Sequence, residues 1–200
     1  MRQRKMERTR ELIVAAGMVL FAERGFEAVT VADIAARADV APRTFHRYFP
    51  DKAELVFAGD TELREALEAA LQQEVPKSGL RSYLIVVLQA ACQPLAGRHA
   101  ELVAREGLLR EVPALRARDL AKQFLLAEIV AEHLAHRLGV PLDQDVRPRW
   151  WAGVTFATFT AGYQTWLIRG GSLSAHLGEA AGLLPEADHP DLPGVDSQGG

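Results

Sequence analysis

Arg43, Thr44, His46, Arg47 and Tyr48 crowd five polar side chains into six residues, and Lys52 follows shortly after. Guanidinium, hydroxyl, imidazole and phenol groups supply hydrogen-bond donors and positive charge, and no carboxylate lies among them. Such groups bind phosphate oxygens and reach base edges, and an arginine fork matches the O6/N7 edge of guanine. Pro42 suits the first turn of a helix, where its missing N–H costs nothing, and Pro50 stops that helix after Tyr48-Phe49. With the helical period, Phe45 turns inward with Val40, Ile34 and Phe49, which leaves Arg43, Thr44, His46, Arg47 and Tyr48 outward.

The elements that must hold this rod lie just upstream. Residues 8–24 place Leu12, Ile13, Ala16, Val19 and Leu20 on one helical face, and Gly25 supplies the stop. Thr30 stands three residues before Asp33, a capping-box spacing that opens a short helix through Ile34, Ala35 and Ala38. Asp39-Val40 makes the turn into the helix that begins at Pro42. Ahead of it all, Arg2, Arg4 and Lys5 form a flexible basic arm, either reaching an adjacent groove or solvated as a free end. A three-helix unit of this kind presents its third helix to a DNA major groove.

The stretch T-V-A-D-I-A-A-R-A-D-V-A-P-R-T-F-H-R-Y-F-P-D-K, with Gly25-Phe26 before it, resembles the DNA-binding segment of the tetracycline-repressor (TetR) family of bacterial regulators. The shared features are Gly25-Phe26 after the first helix, Thr30 with Ile34-Ala35, and Tyr48-Phe49 with Lys52. Two positions depart from the pattern: Asp39 holds a turn position that is usually Gly, and Val31-Ala32 offers no long polar side chain at the second helix's start. The resemblance implies phosphate contacts from Thr30, Arg47, Tyr48 and Lys52. It implies base contacts from Arg43, Thr44 and His46 on the helix that starts at Pro42. It further implies a homodimer on a near-palindromic double-stranded operator, released when a small-molecule effector binds, with repression as the common mode.

Composition sets wider bounds. The 200 residues are 48% hydrophobic and 24% charged, enough to bury a core without metals or disulfides, and Cys92 is the single cysteine. That usage fits a reducing cytoplasm. No segment reads as a membrane span or a signal peptide. Net charge is −3, but residues 1–52 hold ten Lys/Arg against seven Asp/Glu, so the excess of acid lies in the remainder. A cationic front on an acidic body approaches a phosphate backbone with one end only.

Beyond residue 52 the pattern stays helical, and the fold class is all-α. Asp51 with Glu54 opens a helix running to Glu74. Further helices are expected over 80–93, 100–111, 114–138, 145–169 and 173–183, and Pro, Gly and Asp dominate after 185. This gives a DNA-binding domain over 1–52, an effector-binding and dimerisation domain over 53–184, and a disordered tail over 185–200. The 145–169 helix is apolar nearly all round, which requires burial on most sides. Candidates for an effector pocket are Tyr83, Val87, Phe124, Trp151, Phe156, Phe159 and Tyr163, with Thr158, Arg105 or Glu128 as polar anchors. The small stripes Val154, Thr155, Ala157, Thr158, Ala161, Gly162 and Thr165 are candidates for the dimer interface, with residues 173–183 beside them. Arg147-Pro148-Arg149 opening an aromatic helix resembles regulators of acyl-thioester-like or lipophilic ligands.

Other chemistries find little support. His99, His133 and His136 lack the cysteine or acidic company of a metal site, and neither a metal nor a cofactor is expected. No G-x-S-x-G, G-x-x-x-x-G-K or G-x-G-x-x-G occurs, so no enzyme is expected. A helical adaptor that binds protein, or remotely an all-α enzyme, remains the alternative to a DNA-binding regulator.

Overall fold

A computed structural model describes residues 2–73 and 79–184. Among these the chain is helical throughout: α1 (Arg2–Arg24), α2 (Val31–Arg37), α3 (Pro42–Tyr48), α4 (Asp60–Leu71), α5 (Leu80–Ala91), α6 (His99–Glu111), α7 (Pro113–Leu138), α8 (Arg147–Arg169) and α9 (Leu173–Gly182). Short 3₁₀ turns lie at Lys52–Leu55 and Gln93–Leu95. The expected tail over 185–200 and the helix end at Glu74 lie outside the described residues.

The helices gather into two compact units. One comprises the chain up to Thr61 together with Ala100–Leu120, and the other comprises Glu62–His99 and the chain from Ala121 on. In the first unit, α1 buries Ile13, Ala16, Leu20 and Phe21, the i, i+3, i+7, i+8 positions of one face. That face is rotated from the sequence reading, because Leu12 and Val19 are exposed while Gly17 and Phe21 turn inward. Gly17 is the contact point with the Lys52–Leu55 turn: a Cβ there would lie 2.3 Å from Leu55 Cδ1. The helix also begins earlier than expected. Arg4 and Lys5 ride on α1 instead of a flexible arm, since nothing in residues 2–7 breaks a helix and the Thr9 hydroxyl donates back to the Lys5 carbonyl at 2.9 Å.

Gly25 ends α1 with φ +78°, and its N–H donates to the Phe21 carbonyl. Thr30 then caps α2 through a full capping box with Asp33. Asp39 takes φ +53° in the turn to α3, the conformation its usual glycine would adopt freely. The Phe45 and Phe49 side chains complete a core with Ile34, Val29, Phe26, Leu55 and Val56. Leu108, Leu109, Val112 and Leu115 from the α6–α7 junction join the same core. Residues 100–120 therefore pack as part of the first unit although they follow it by some forty positions.

The segment after α3 departs from expectation. Asp51 does accept the Glu54 N–H at 3.0 Å, but the turn it caps stops at Leu55, and an α-helix resumes only at Asp60. Leu55, Val56 and Phe57 are three consecutive buried residues, which a single helical face cannot bury together.

In the second unit, Leu67, Ala70, Leu71, Tyr83, Leu84, Val87, Val130, Leu134, Trp151 and Ala152 form the core. The Tyr83 hydroxyl donates to the Leu71 carbonyl at 2.7 Å and lies 2.9 Å from His133 Nε2. Helices α8 and α9 pack closely at Gly162, where an added Cβ would sit 3.0 Å from Leu177 Cα and 3.1 Å from the His176 carbonyl. Backbone atoms cannot step aside as a side-chain tip can. Gly162→Ala is therefore expected to destabilise the protein by about 1–3 kcal/mol in urea unfolding. Gly153→Ala, on the same helix with open space around it, is expected to leave the midpoint unchanged or raise it.

Candidate nucleic-acid interface

A seven-residue helix is too short to persist by its own hydrogen bonds, so α3 is held by what it buries. Phe45 is fully buried, and Phe49, just past the helix end, is nearly so. Their ring centroids lie 5.8 Å apart. Pro42 occupies the first turn, and the extended Ala41 before it offers no side-chain cap. With Phe45 inward, the opposite face carries Arg43, His46 and Arg47 exposed, and Thr44 and Tyr48 half-buried at its margins. Arg47 is drawn over Tyr48, its guanidinium carbon 5.0 Å from the ring centroid and Nη2 donating to the phenol oxygen at 3.3 Å. This face brings together five of the candidate side chains as an edge of donors.

Thr30 and Lys52 are placed differently. The Thr30 hydroxyl donates to Asp33 Oδ2 at 2.6 Å and accepts the Asp33 N–H at 3.1 Å, so its single proton is spent inside the capping box. The Thr30 hydroxyl and the Thr30 backbone N–H both donate to Oδ2 and hold the Asp33 carboxyl below its ordinary range. Lys52 Nζ donates to the carbonyls of Phe26 at 2.8 Å, Glu27 at 3.3 Å and Val29 at 2.9 Å. It also lies 4.4 Å from the centre of the Phe26 ring. An ammonium has three protons, and here all three face the loop that joins α1 to α2. Lys52 is a clamp inside the unit.

The candidates in the second unit are dispersed. Tyr83, Val87, Trp151 and Tyr163 are buried, Phe156 and Phe159 are half-buried, and Phe124 is 64% exposed. Phe124 therefore lines no interior surface of this chain. The Tyr163 ring stacks on Phe159 at 5.2 Å. Arg105 belongs to the first unit, and Glu128 accepts from Arg149 Nη2 at 3.3 Å. Thr158 is buried, and its hydroxyl donates to the Val154 carbonyl at 2.8 Å.

The two small stripes of α8 part company. Thr155, Thr158 and Gly162 face inward, and at Gly162 the covering element is the chain's own α9. Ala157 and Ala161 face outward, between Trp150 at 44% exposure and Ile168 at 77%, with Val154 and Thr165 at the edges. The histidines do not converge: His133 Nε2 is at Tyr83 and His99 Nε2 faces the Trp166 carbonyl at 3.0 Å. Among the described residues no group of three His, Cys, Asp or Glu is arranged to hold a metal ion, and no helix is long and apolar enough to cross a membrane. Burial pushes the Cys92 thiol up to about 12, which keeps it protonated at neutral pH.

A capped helix, a tight turn and a second short helix with a donor-rich outer edge define a helix-turn-helix of the DNA-reading kind. Residues 13–58 match the model for bacterial regulatory proteins of the tetR family, and residues 86–188 match the MftR C-terminal domain. The transcriptional regulator TcmR of Streptomyces glaucescens is 32% identical over 179 residues, covering 84% of this chain and 77% of that protein. The transcriptional repressor LfrR of Mycolicibacterium smegmatis is 37% identical over 73 residues, 36% of this chain and 38% of that one. In fold, the chain is similar to the regulator FadR from Bacillus subtilis in complex with stearoyl-CoA. The TM-score is 0.62 at 22% identity, over 90% of this chain and 99% of that one. The protein is a DNA-binding transcriptional regulator. It belongs to the tetR family of bacterial regulatory proteins.

The clamp at Lys52 left no trace in the motif, which is equally consistent with an outward lysine; only the carbonyls converging from Phe26 to Val29 reveal it. Lys52→Met is expected to lower stability by about 1–3 kcal/mol through loss of charge-assisted bonds to partly buried carbonyls. Thermal unfolding of the variant beside Arg47→Ala, which should melt like the parent, checks this.

Proposed function

We propose that the protein is a homodimeric, ligand-responsive repressor that grips a near-palindromic operator with the outer edge of α3. The observation that carries this reading is the inward anchoring of Phe45, which leaves Arg43, His46 and Arg47 exposed together on one short rod. In this reading Arg43, Thr44 and His46 meet base edges, and Arg47 and Tyr48 bind phosphate. Lys52 and Thr30 then act on DNA indirectly: one clamps the loop ahead of α2, and the other leaves the Val31 and Ala32 backbone N–H groups to face a phosphate. The activity is equilibrium binding in the bacterial cytoplasm, with no chemical step.

Dimerisation is assigned to the outward face of α8. Trp150, Val154, Ala157, Ala161 and Ile168 fall along one side of the helix, and small side chains between larger ones let a second helix approach. Leu183, 85% exposed just past α9, extends the same reading. A two-fold axis there would set two α3 rods on successive major grooves. The effector site is assigned to the second unit, between the buried faces of α5 and α8 around Val87, Trp151 and Phe156. A largely apolar effector suits those residues, and a fold shared with a regulator bound to stearoyl-CoA makes an acyl thioester the first class to test. Binding that favours a different unit geometry would lower operator affinity by linkage.

Selection of bound duplexes from a random pool, followed by salt-controlled titration, tests the DNA assignment. Arg43→Ala is expected to cost about 1–3 kcal/mol and relax preference at one base pair. Arg47→Ala should weaken all sequences alike and reduce the salt slope by about 1. Equal affinity for all three proteins would sink the assignment, and salt-independent capture of protein alone would favour the adaptor. For the dimer, Ile168→Glu is expected to give a monomer in sedimentation with operator affinity reduced more than tenfold, on the order expected for loss of half the contacts. A persistent dimer would move the interface elsewhere.

A further inference from the structure

The segment that follows α3 is gripped by three guanidinium groups from three different helices, all within the first unit. From α7, Arg118 makes a fork-on-fork pair with Asp51: Nη1 to Oδ1 at 3.1 Å and Nη2 to Oδ2 at 3.1 Å. Arg118 Nη1 also lies 3.4 Å from Glu54 Oε1. From α6, Arg105 donates through Nε to the Val56 carbonyl at 3.1 Å and through Nη2 to the buried Asp119 at 2.6 Å, and Nη2 lies 3.8 Å from Asp60. From α1, Arg10 donates to the Ala58 carbonyl and lies over the Phe49 ring at 5.6 Å.

Asp51 sits three residues beyond α3 and serves two partners at once. Its Oδ1 accepts the Glu54 N–H as the cap of the Lys52–Leu55 turn while the whole carboxylate takes the Arg118 fork. The Arg118 hydrogen bonds hold the Asp51 carboxyl below its ordinary range, so the pair is charged at neutral pH. Bidentate geometry fixes orientation as well as distance. The apolar part agrees, because Leu108, Leu109, Val112 and Leu115 enter the same core as Phe45 and Phe49. The three helices of the helix-turn-helix all lie within the first 52 residues, yet 100–120 supplies both the floor and the clamps for its exit.

We propose that Arg118, supported by Arg105, is a positioning residue for DNA reading: through Asp51 it fixes the direction in which α3 leaves its scaffold. This rests on α3 being the DNA-contacting element. Arg118 touches no nucleic acid in this account; it sets where Arg43 and Arg47 point.

The test uses the full chain and a duplex that the wild type selects from a random pool. Arg118→Met, Arg118→Lys, Asp51→Asn and the Asp51→Asn/Arg118→Met double variant are titrated across a salt series, with a thermal melt of each. Arg118→Met is expected to weaken binding roughly tenfold, within the range measured for coupled neighbours. Its log affinity against log salt keeps the wild-type slope, because no phosphate contact is lost. Arg118→Lys recovers part of the affinity, and the double variant binds no worse than Arg118→Met. Asp51→Asn retains a cap oxygen while removing the charge, so it reports the same loss even if Arg118→Met folds poorly. Wild-type affinity in Arg118→Met and Asp51→Asn, a reduced salt slope, or multiplying losses in the double variant would each overturn the proposal. A wild type that selects no duplex would instead bring down the DNA reading beneath it.

Discussion

The burial of Phe45 is the contact on which the reading unit depends. Seven residues form fewer than two turns, and such a helix has almost no stability of its own. Everything useful about α3 follows from one ring driven into the core at its centre, because Arg43 and Arg47, two positions to either side, then fall on the opposite face. Phe49 fixes the far end, and Ile34 and Val29 belong to the same buried core as both rings. The polar edge is therefore a consequence of an apolar anchor. Replacing either ring with a small side chain would leave the arginines present but without a fixed direction.

Much of this was legible in the sequence because it is governed by local rules. Thr30 with Asp33, Gly25, Pro42 and Pro50 each act within a few residues, and the helix ends they mark agree with the structure to within a residue or two. The inward set of Ile34, Phe45 and Phe49 followed from periodicity. The misses have a common physical origin in contacts between distant positions. Lys52 finds carbonyls more than twenty residues earlier, and Arg118 finds Asp51 sixty-seven residues before it. The rotation of the α1 stripe came from Gly17, whose missing side chain is what admits Leu55. The break between Leu55 and Asp60 came from three adjacent apolar residues all meeting core, a condition that periodicity alone cannot signal.

Helix α8 shows how one sequence supplies two different faces. Small residues occur on both sides, and in the sequence they read as two stripes, both open to a dimer partner. Gly162 and its neighbours Thr155 and Thr158 are small because another helix of the same chain crosses there at backbone distance. The threonine hydroxyls cost nothing in that setting, since Thr155 and Thr158 each donate to the carbonyl four residues back. Ala157 and Ala161 are small on a face that nothing among the described residues covers, flanked by an exposed tryptophan and an exposed isoleucine. A stripe of that composition left open is unusual for a protein that functions alone, because exposed large apolar groups aligned along one helix favour association. Small residues on one helix thus carry opposite meanings, and the partner helix distinguishes them.

The same distinction applies to charge. The excess of base over acid in residues 1–52 is modest, and by count alone it argues little for a phosphate partner. Counting only what is left for a partner changes the picture. Arg24 pairs with Asp33, Arg37 with Glu23, Arg10 turns to the Ala58 carbonyl, and Lys52 faces three carbonyls. Those four cations are occupied in holding the unit together. Arg43 and Arg47 remain on the outer edge of α3 with no carboxylate against them among the described residues, and Arg4, Lys5 and Arg8 stand exposed along the first turns of α1. A field that steers a polyanion depends on where uncompensated charge stands more than on the formal total. Two of the cations not used for folding thus stand together on the outer edge of α3.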